Sequence, residues 1–267
     1  MRPYTSAMRC TILASGSSGN CTCIEGDSGA LLIDAGLSRR EILARLQNAG
    51  CAADRVSGVL VTHEHTDHIT GLDALARHLD VPVYGTEGTL HAFLTRRRPV
   101  KALVTIERCI CDEPVCTGDF VIEAFATSHD AHEPCGWIVS ENSTRIGFCT
   151  DTGILTGAMV EKLSRCDLVI LESNHCPVML KNGPYPEVLK RRIRSKRGHL
   201  SNEAAGEAIR ILGEHVHHIV LAHLSEVNNT PEKAVMSARG GLGLYIDETC
   251  LSVAPRASID QPVRIRI

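Results

Sequence analysis

Residues 59–71, Val-Leu-Val-Thr-His-Glu-His-Thr-Asp-His-Ile-Thr-Gly, run an uncharged segment directly into a cluster of metal-binding side chains. Residues 58–61 have the composition of a strand buried on both faces, as in a parallel sheet covered by helices. His63 and His65 stand two apart, so extended backbone projects both imidazoles to one side. Asp67 and His68 then fall at the turn into a helix beginning near Ile69. One loop can therefore offer two imidazoles to one metal ion and a carboxylate plus an imidazole to a second. A lone histidine is most often an ordinary surface residue. Four ligand-type side chains within six positions, directly after a buried strand, are what borderline divalent metals select.

The same design recurs along the chain. Residues 9–14 read as a strand, followed by the small-residue loop 15–20, in which Ser15, Ser17, Ser18 and Asn20 are candidate substrate contacts. Its backbone amides could approach an anion closely, although its composition also suits a plain turn. Segments 21–25 and 30–34 form a hairpin, and Ser38 with Glu41 makes a capping box for a helix through Ala49. Leu72, Leu75 and Leu79 recur at helical spacing, residues 81–84 are a strand, and a helix over about 87–95 closes on Arg96-Arg-Arg98. Residues 103–126 read as strands, and 120–126 lead into a second cluster holding His129 and His132. A hairpin of 137–140 and 145–149 delivers Asp151. A helix over 155–163 and a strand over 167–171 follow, the strand ending at Glu172-Ser-Asn-His175. Helices over 186–196 and 202–212 flank Gly198-His199-Leu-Ser201, with Ser201 as N-cap, and the strand 218–222 ends at His223. A helix from Pro231 and a weak strand or tail over about 250–267 complete the pattern, and residues 1–8 read as a loose leader. Strands ending near 62, 126, 149 and 222 thus finish in His or Asp, which brings these groups to one edge of a sheet.

Composition narrows the setting. At 267 residues, with 43% hydrophobic and 22% charged residues and no repeat or linker, the chain is expected to form one α/β domain over 1–267. No stretch approaches the roughly 20 apolar residues of a membrane span and no secretory signal is visible, so a cytoplasmic protein is expected. Twelve cysteines in a chain of this length read as reduced thiols rather than a disulfide scaffold. Cys21-Thr-Cys23 and Cys109-Ile-Cys111 are poor zinc sites without further ligands. The net charge of −3 gives no global attraction to nucleic acid, so any such attraction must be local.

The H-x-H-x-D-H pattern resembles the signature of the metallo-β-lactamase superfamily. The order of His63, His65, Asp67, His68, His129, Asp151 and His223 resembles the five metal motifs of that superfamily from residue 9 to about 240. The resemblance implies a four-layer αβ/βα sandwich holding two divalent ions. It places His63, His65 and His129 on one, Asp67, His68 and His223 on the other, and Asp151 across both. A shared position needs two oxygens, which a carboxylate supplies. For His129 the rival is His132, and His129 is preferred because it follows the strand directly. Two ions roughly 3.5–4 Å apart lower the pKa of a shared water and clamp the attacking and leaving oxygens, which is hydrolysis. The leaving group still needs a proton, for which His175 and His199 are candidates beside the catalytic carboxylates Asp67 and Asp151. His/Asp sites of this kind accept zinc, manganese or iron.

The loop 15–20, Ser128-His-Asp-Ala131, Glu172-Ser-Asn-His175, Gly183-Pro-Tyr-Pro186, Gly198-His-Leu-Ser-Asn202 and Ala222-His-Leu-Ser225 with Asn228-Asn229 resemble the YycJ/WalJ branch, regarded as DNA exonucleases related to ribonuclease Z. That resemblance implies phosphodiester hydrolysis, with DNA as partner and degradation from the 5′ end. Cys176 departs from it, because relatives usually carry Asp after Asn-His, and this puts the role of His175 in question. Residues 190–197 hold six cations in eight, among them Arg191, Arg192 and Arg194, a run that reads either as a solvated helix face or as a phosphate contact beside His199. Only 72 residues separate Asp151 from His223, too few for the inserted domain of the β-CASP nucleases. No long Gly/Pro arm of the kind that grips transfer RNA is present, and an oxygen-reducing diiron relative would carry Glu in place of His65. Two rivals stay open: a small-molecule hydrolase of the same fold acting on a thioester, lactone or cyclic phosphodiester, and a non-catalytic metal-binding regulator.

Overall fold

Alternation within single strands sends neighbouring side chains into different cores. In β3 (Ala30–Ile33), Leu31 and Ile33 pack toward one core while Ala30 and Leu32 pack toward another. In β11 (Leu168–Glu172), Leu168 and Ile170 share the core of Leu31 and Ile33, whereas Val169 and Leu171 turn to a third. A strand that is apolar on every residue must be covered on both faces, and two such sheets laid together give four layers.

The computed structural model describes residues 8–96, 104–255 and 263–267. Residues 1–7 of the expected leader, Arg97 and Arg98 of the arginine run, and 256–262 of the expected tail lie outside these. Among the described residues the first sheet has seven strands. Its order is β14 (Val263–Arg266), β1 (Arg9–Ala14), β2 (Cys21–Glu25), β3, β4 (Val56–Leu60), β5 (Val83–Gly85) and β6 (Ile106–Arg108). The second also has seven: β13 (Cys250–Val253), β12 (His218–Ala222), β11, β10 (Thr144–Cys149), β9 (Cys135–Glu141), β8 (Phe120–Ala126) and β7 (Pro114–Thr117). In each sheet the pairing is antiparallel on one side and parallel on the other. The parallel parts are β3–β4–β5–β6 and β10–β11–β12–β13. Trp137 and Phe120 fill the core between the sheets. Helices α1 (Arg39–Asn48), α3 (Leu72–Leu79) and α4 (Glu87–Arg96) cover the outer face of the first sheet. Helices α5 (Gly157–Leu163), α8 (Asn202–Leu212) and α9 (Pro231–Leu242) cover that of the second. This is the four-layer αβ/βα sandwich.

Several boundaries differ from expectation. Met8 is no part of a loose leader: it is fully buried in the inter-sheet core, and its carbonyl accepts from the Ile267 amide at 3.0 Å. The expected tail contributes β13 and β14, one edge strand to each sheet. The helix expected over 186–196 is α7 (Glu187–Ile193), cut short because the backbone folds back and the His199 amide donates to the Ile193 carbonyl at 2.9 Å. Asp67 and His68 stand inside a one-turn helix, α2 (Thr66–Ile69). A short α6 (Pro177–Asn182) was not foreseen. None of the described helices is long and apolar enough to cross a membrane.

Candidate metal centre

The loops that leave the parallel strands of both sheets meet at one edge of the sandwich. His63, His65, Asp67 and His68 follow β4, Asp151 follows β10 and His223 follows β12. His129 comes from the loop after β8. Asp151 and His223 have φ near +55°, a left-handed backbone that turns each side chain inward immediately beyond its strand. Gly36 lets the loop after β3 pass against α2, since a Cβ there would lie 1.7 Å from the Asp67 carbonyl oxygen.

Four groups of donors result. The ring nitrogens of His63, His65 and His129 come within 4.8 Å of one another. A carboxylate oxygen of Asp67 and ring nitrogens of His68 and His223 do the same, Asp151 closes a third group with His63 and His68, and Asp151, Glu172, His199 and His223 make a fourth. Asp151 Oδ2 lies 3.4 Å from His68 Nε2, while its Oδ1 lies 3.9 Å from His129 Nε2 and 3.6 Å from His223 Nδ1. Its carboxylate therefore faces both triads. His132 turns away: its ring Nδ1 is 2.6 Å from Glu64 Oε1, and it belongs to none of these groups.

Outer contacts fix how each ring faces the centre. The Nδ1 of His129 donates to the Gly198 carbonyl at 2.9 Å, which turns Nε2 inward. His68 places Nδ1 2.7 Å from Asp34 Oδ2. Asp34 is wholly buried with φ +60°, and it also accepts from the Thr62 amide and hydroxyl. Glu172 plays the same part on the second sheet. Its Oε2 accepts from the Thr152 and Leu200 amides, and its Oε1 sits 2.8 Å from His199 Nδ1 and 3.1 Å from His223 Nδ1. Carboxylates of this kind orient ligating imidazoles and raise their basicity. Neither was singled out as a site residue from sequence. Each does terminate an apolar strand, the signal that marked the others.

Three buried atoms, His129 Nε2, His223 Nε2 and Asp151 Oδ2, have no hydrogen-bond partner. Leaving a buried polar atom unsatisfied costs about 1–3 kcal/mol, so three such atoms within the grouped donors fit the binding of cations. Protonation agrees. Burial and neighbouring imidazoles hold His63 well below the ordinary histidine range, and burial lowers His129, which keeps a lone pair free for coordination. Burial opposes charging of His68 and His223 as well. There Asp34 and Asp151 on His68, and Asp151, Asp67 and Glu172 on His223, prevail and push His223 up to about 10. An entering cation displaces those protons.

The remaining candidates divide. His199 is partly exposed, with Nδ1 3.6 Å from Asp151 Oδ1. His175 is buried, its Nδ1 has no partner, and burial pushes its pKa down to about 4. Ser15 accepts from the His223 amide at 2.8 Å, and the Asn20 side-chain amide lies 3.1 Å from His68 Nε2, so both brace the donors. Ser17 and Ser18 are exposed, with Ser18 donating to Glu226. Arg192 pairs with Asp130, the neighbour of His129, at 2.9 Å, and Arg194 pairs with Glu187 on its own helix. Arg191 is exposed.

The fold and its His/Asp centre together define a metal-dependent hydrolase. A family profile described as the β-lactamase superfamily domain matches residues 30–224. The chain is 40% identical over 230 residues to the exodeoxyribonuclease YycJ of Bacillus anthracis, covering 85% of this chain and 86% of that protein. It is 36% identical over 253 residues to the exodeoxyribonuclease WalJ of Streptococcus pneumoniae, covering 92% and 94%. The metallo-β-lactamase fold protein YhfI of Bacillus subtilis superposes with a TM-score of 0.74 at 17% identity, over 97% of this chain and 99% of that one. The chain belongs to the metallo-β-lactamase superfamily and, within it, to the family of YycJ and WalJ.

Proposed function

We propose that the protein is a phosphodiesterase that degrades DNA from the 5′ end with two divalent ions, zinc or manganese, with iron a further possibility for such a donor set. One observation carries the reading: a single buried carboxylate, Asp151, faces two separate triads, each with nitrogen or oxygen donors turned inward. His63, His65 and His129 would hold one ion, Asp67, His68 and His223 the other, and Asp151 both. When bound, such a pair supplies an activated water and Lewis-acid stabilisation of charge developing on the phosphate. The names of the relatives at 40% and 36% identity support DNA as the substrate.

The chain's own groups account for the rest. His199 presents its ring beside Asp151 while Nδ1 donates to Glu172, which fixes the ring and orients Nε2 for proton delivery to the departing oxygen. His175 suits that task less. It is held neutral by burial, and Cys176 supplies no carboxylate to its free Nδ1. The exposed residues Arg191, Lys196 and Arg197 continue from Arg192, and the Arg197 guanidinium donates to the His129 carbonyl at 3.2 Å. A basic rim therefore adjoins the centre, where it can meet a phosphate backbone.

The test is hydrolysis of a 5′-phosphorylated duplex labelled at either end, with manganese or zinc added and Asp151→Ala as control. Release of the 5′ label as mononucleotides, absent in the variant, is expected. Failure of metal-loaded protein to cut DNA while it hydrolyses a thioester, lactone or cyclic phosphodiester would replace the DNA reading by the small-ester one.

A further inference from the structure

Within the cysteine pair 21/23, Cys23 acquires partners that the spacing alone did not reveal. Cys23 and Glu25 project from the same face of β2, opposite Thr11 and Arg9 of β1 in the pairing register. Cys51 reaches that face from the end of α1. Gly50 adopts φ +66°, a conformation that suits glycine, and the Cys51 amide returns to the Leu46 carbonyl at 2.8 Å. The Sγ atoms of Cys23 and Cys51 and a carboxylate oxygen of Glu25 all lie within 4.8 Å of one another, and all three residues are buried. The Cys51 thiol donates to Glu25 Oε2 at 3.2 Å. Arg9 holds the same carboxylate with two contacts of 2.6 Å. Beside Cys51 stands the Thr11 hydroxyl, completely buried.

We propose that Cys23, Cys51 and Glu25 form a binding site for a thiophilic divalent cation of the zinc class, with the Thr11 hydroxyl or a water as fourth ligand. Tetrahedral zinc with sulfur at about 2.3 Å places two sulfurs roughly 3.8 Å apart, within the observed spread. Arg9 orients the carboxylate as an outer partner does at other metal sites. Charge closes as well: two thiolates, Glu25 and Arg9 sum to −2, so a dication leaves the buried cluster neutral. The cost is release of both thiol protons to solvent, with no redox change. Donation from the Cys23 thiol holds Cys51 below its ordinary range although burial opposes this, and the same contact with burial pushes Cys23 well up, so the Cys23 proton leaves only as the cation enters. Thr11 stands four residues along β1 from Ser15, roughly 13 Å from the loop that braces His223. The site is therefore separate from the hydrolytic one and would tie the turn after α1 to β1 and β2.

Cadmium titration of the fully reduced, full-length chain tests this, because a thiolate-to-cadmium charge-transfer band reports cysteine ligands alone. None of the His/Asp donor groups contains a cysteine. Serine at Cys116 and Cys250, the exposed thiols among the described residues, removes background binding. The expected band saturates at one ion per chain. It falls by at least half in Cys23→Ser and in Cys51→Ser, persists in Cys111→Ser, and needs at least tenfold more cadmium in Glu25→Gln. The near-ultraviolet circular dichroism of Trp137 checks that each variant is folded. No band in the reduced protein at excess cadmium, or a band of full size in folded Cys51→Ser, would overturn the assignment.

Discussion

Asp34 and Glu172 brace the proposed ligands from outside the two triads, and mutation can test that role. Asp34→Asn and Glu172→Gln keep volume and lose the charge that faces His68, His199 and His223. Both variants should bind manganese or zinc about 10–100-fold more weakly, as read by calorimetric titration, with an unchanged circular dichroism spectrum. Unaltered affinity would reduce these carboxylates to packing. His199→Ala should slow turnover about 10²–10⁴-fold, the usual contribution of a general acid, and leave metal content intact. Loss of metal would make His199 a ligand. The clustered donors were legible in the sequence because one loop carries four of them, and His129, Asp151 and His223 because each follows an apolar strand into a turn. Asp34 and Glu172 stand in the same kind of place. As single carboxylates at strand ends they read like ordinary turn acids, and only complete burial, a product of the tertiary packing, sets them apart.

Among the elements, α1 and α8 were read from their caps, and both caps form. The Ser38 hydroxyl accepts from the Glu41 amide, and the Ser201 hydroxyl accepts from the Ala204 amide. Ser38→Ala should lower stability by about 1 kcal/mol, seen as a reduced denaturant midpoint with an unaltered slope. The basic run was harder to read, because its charges speak equally for a solvated helix and for a phosphate contact. Folding assigns them different duties: Arg192 is tied to Asp130, Arg194 to Glu187, and Arg191 faces solvent. Neutralising Arg191, Arg192 and Arg194 together should weaken DNA binding and flatten its salt dependence, by up to about 0.9 in log–log slope for each phosphate left without its cation. A slope equal to that of the parent chain would return the run to a solvated face. Helix α6 escaped notice because six residues opening on Pro177 carry too little periodicity to distinguish a helix from a loop.

At the scale of the whole molecule, the two covered sheets were expected from the resemblance, while the C-terminal region read as no more than a weak strand or tail because β13 and β14 are short and half-exposed. The core between the sheets holds Trp137, whose indole N–H donates to the Val61 carbonyl at 3.3 Å across the layers. Trp137→Ala should cost about 3–5 kcal/mol, measured by chemical denaturation. Four of the proposed donors follow a strand of the first sheet and three follow strands of the second. Removal of bound ions by a chelator should therefore lower the melting temperature, since a ligand at 1,000 times its Kd contributes about 4.1 kcal/mol. The division has a consequence in time as well as in space. A ribosome issues His63 early and His223 some 160 residues later, so the proposed cage stays incomplete until His223 is made. Capture of the second of the proposed ions would follow the synthesis of His223.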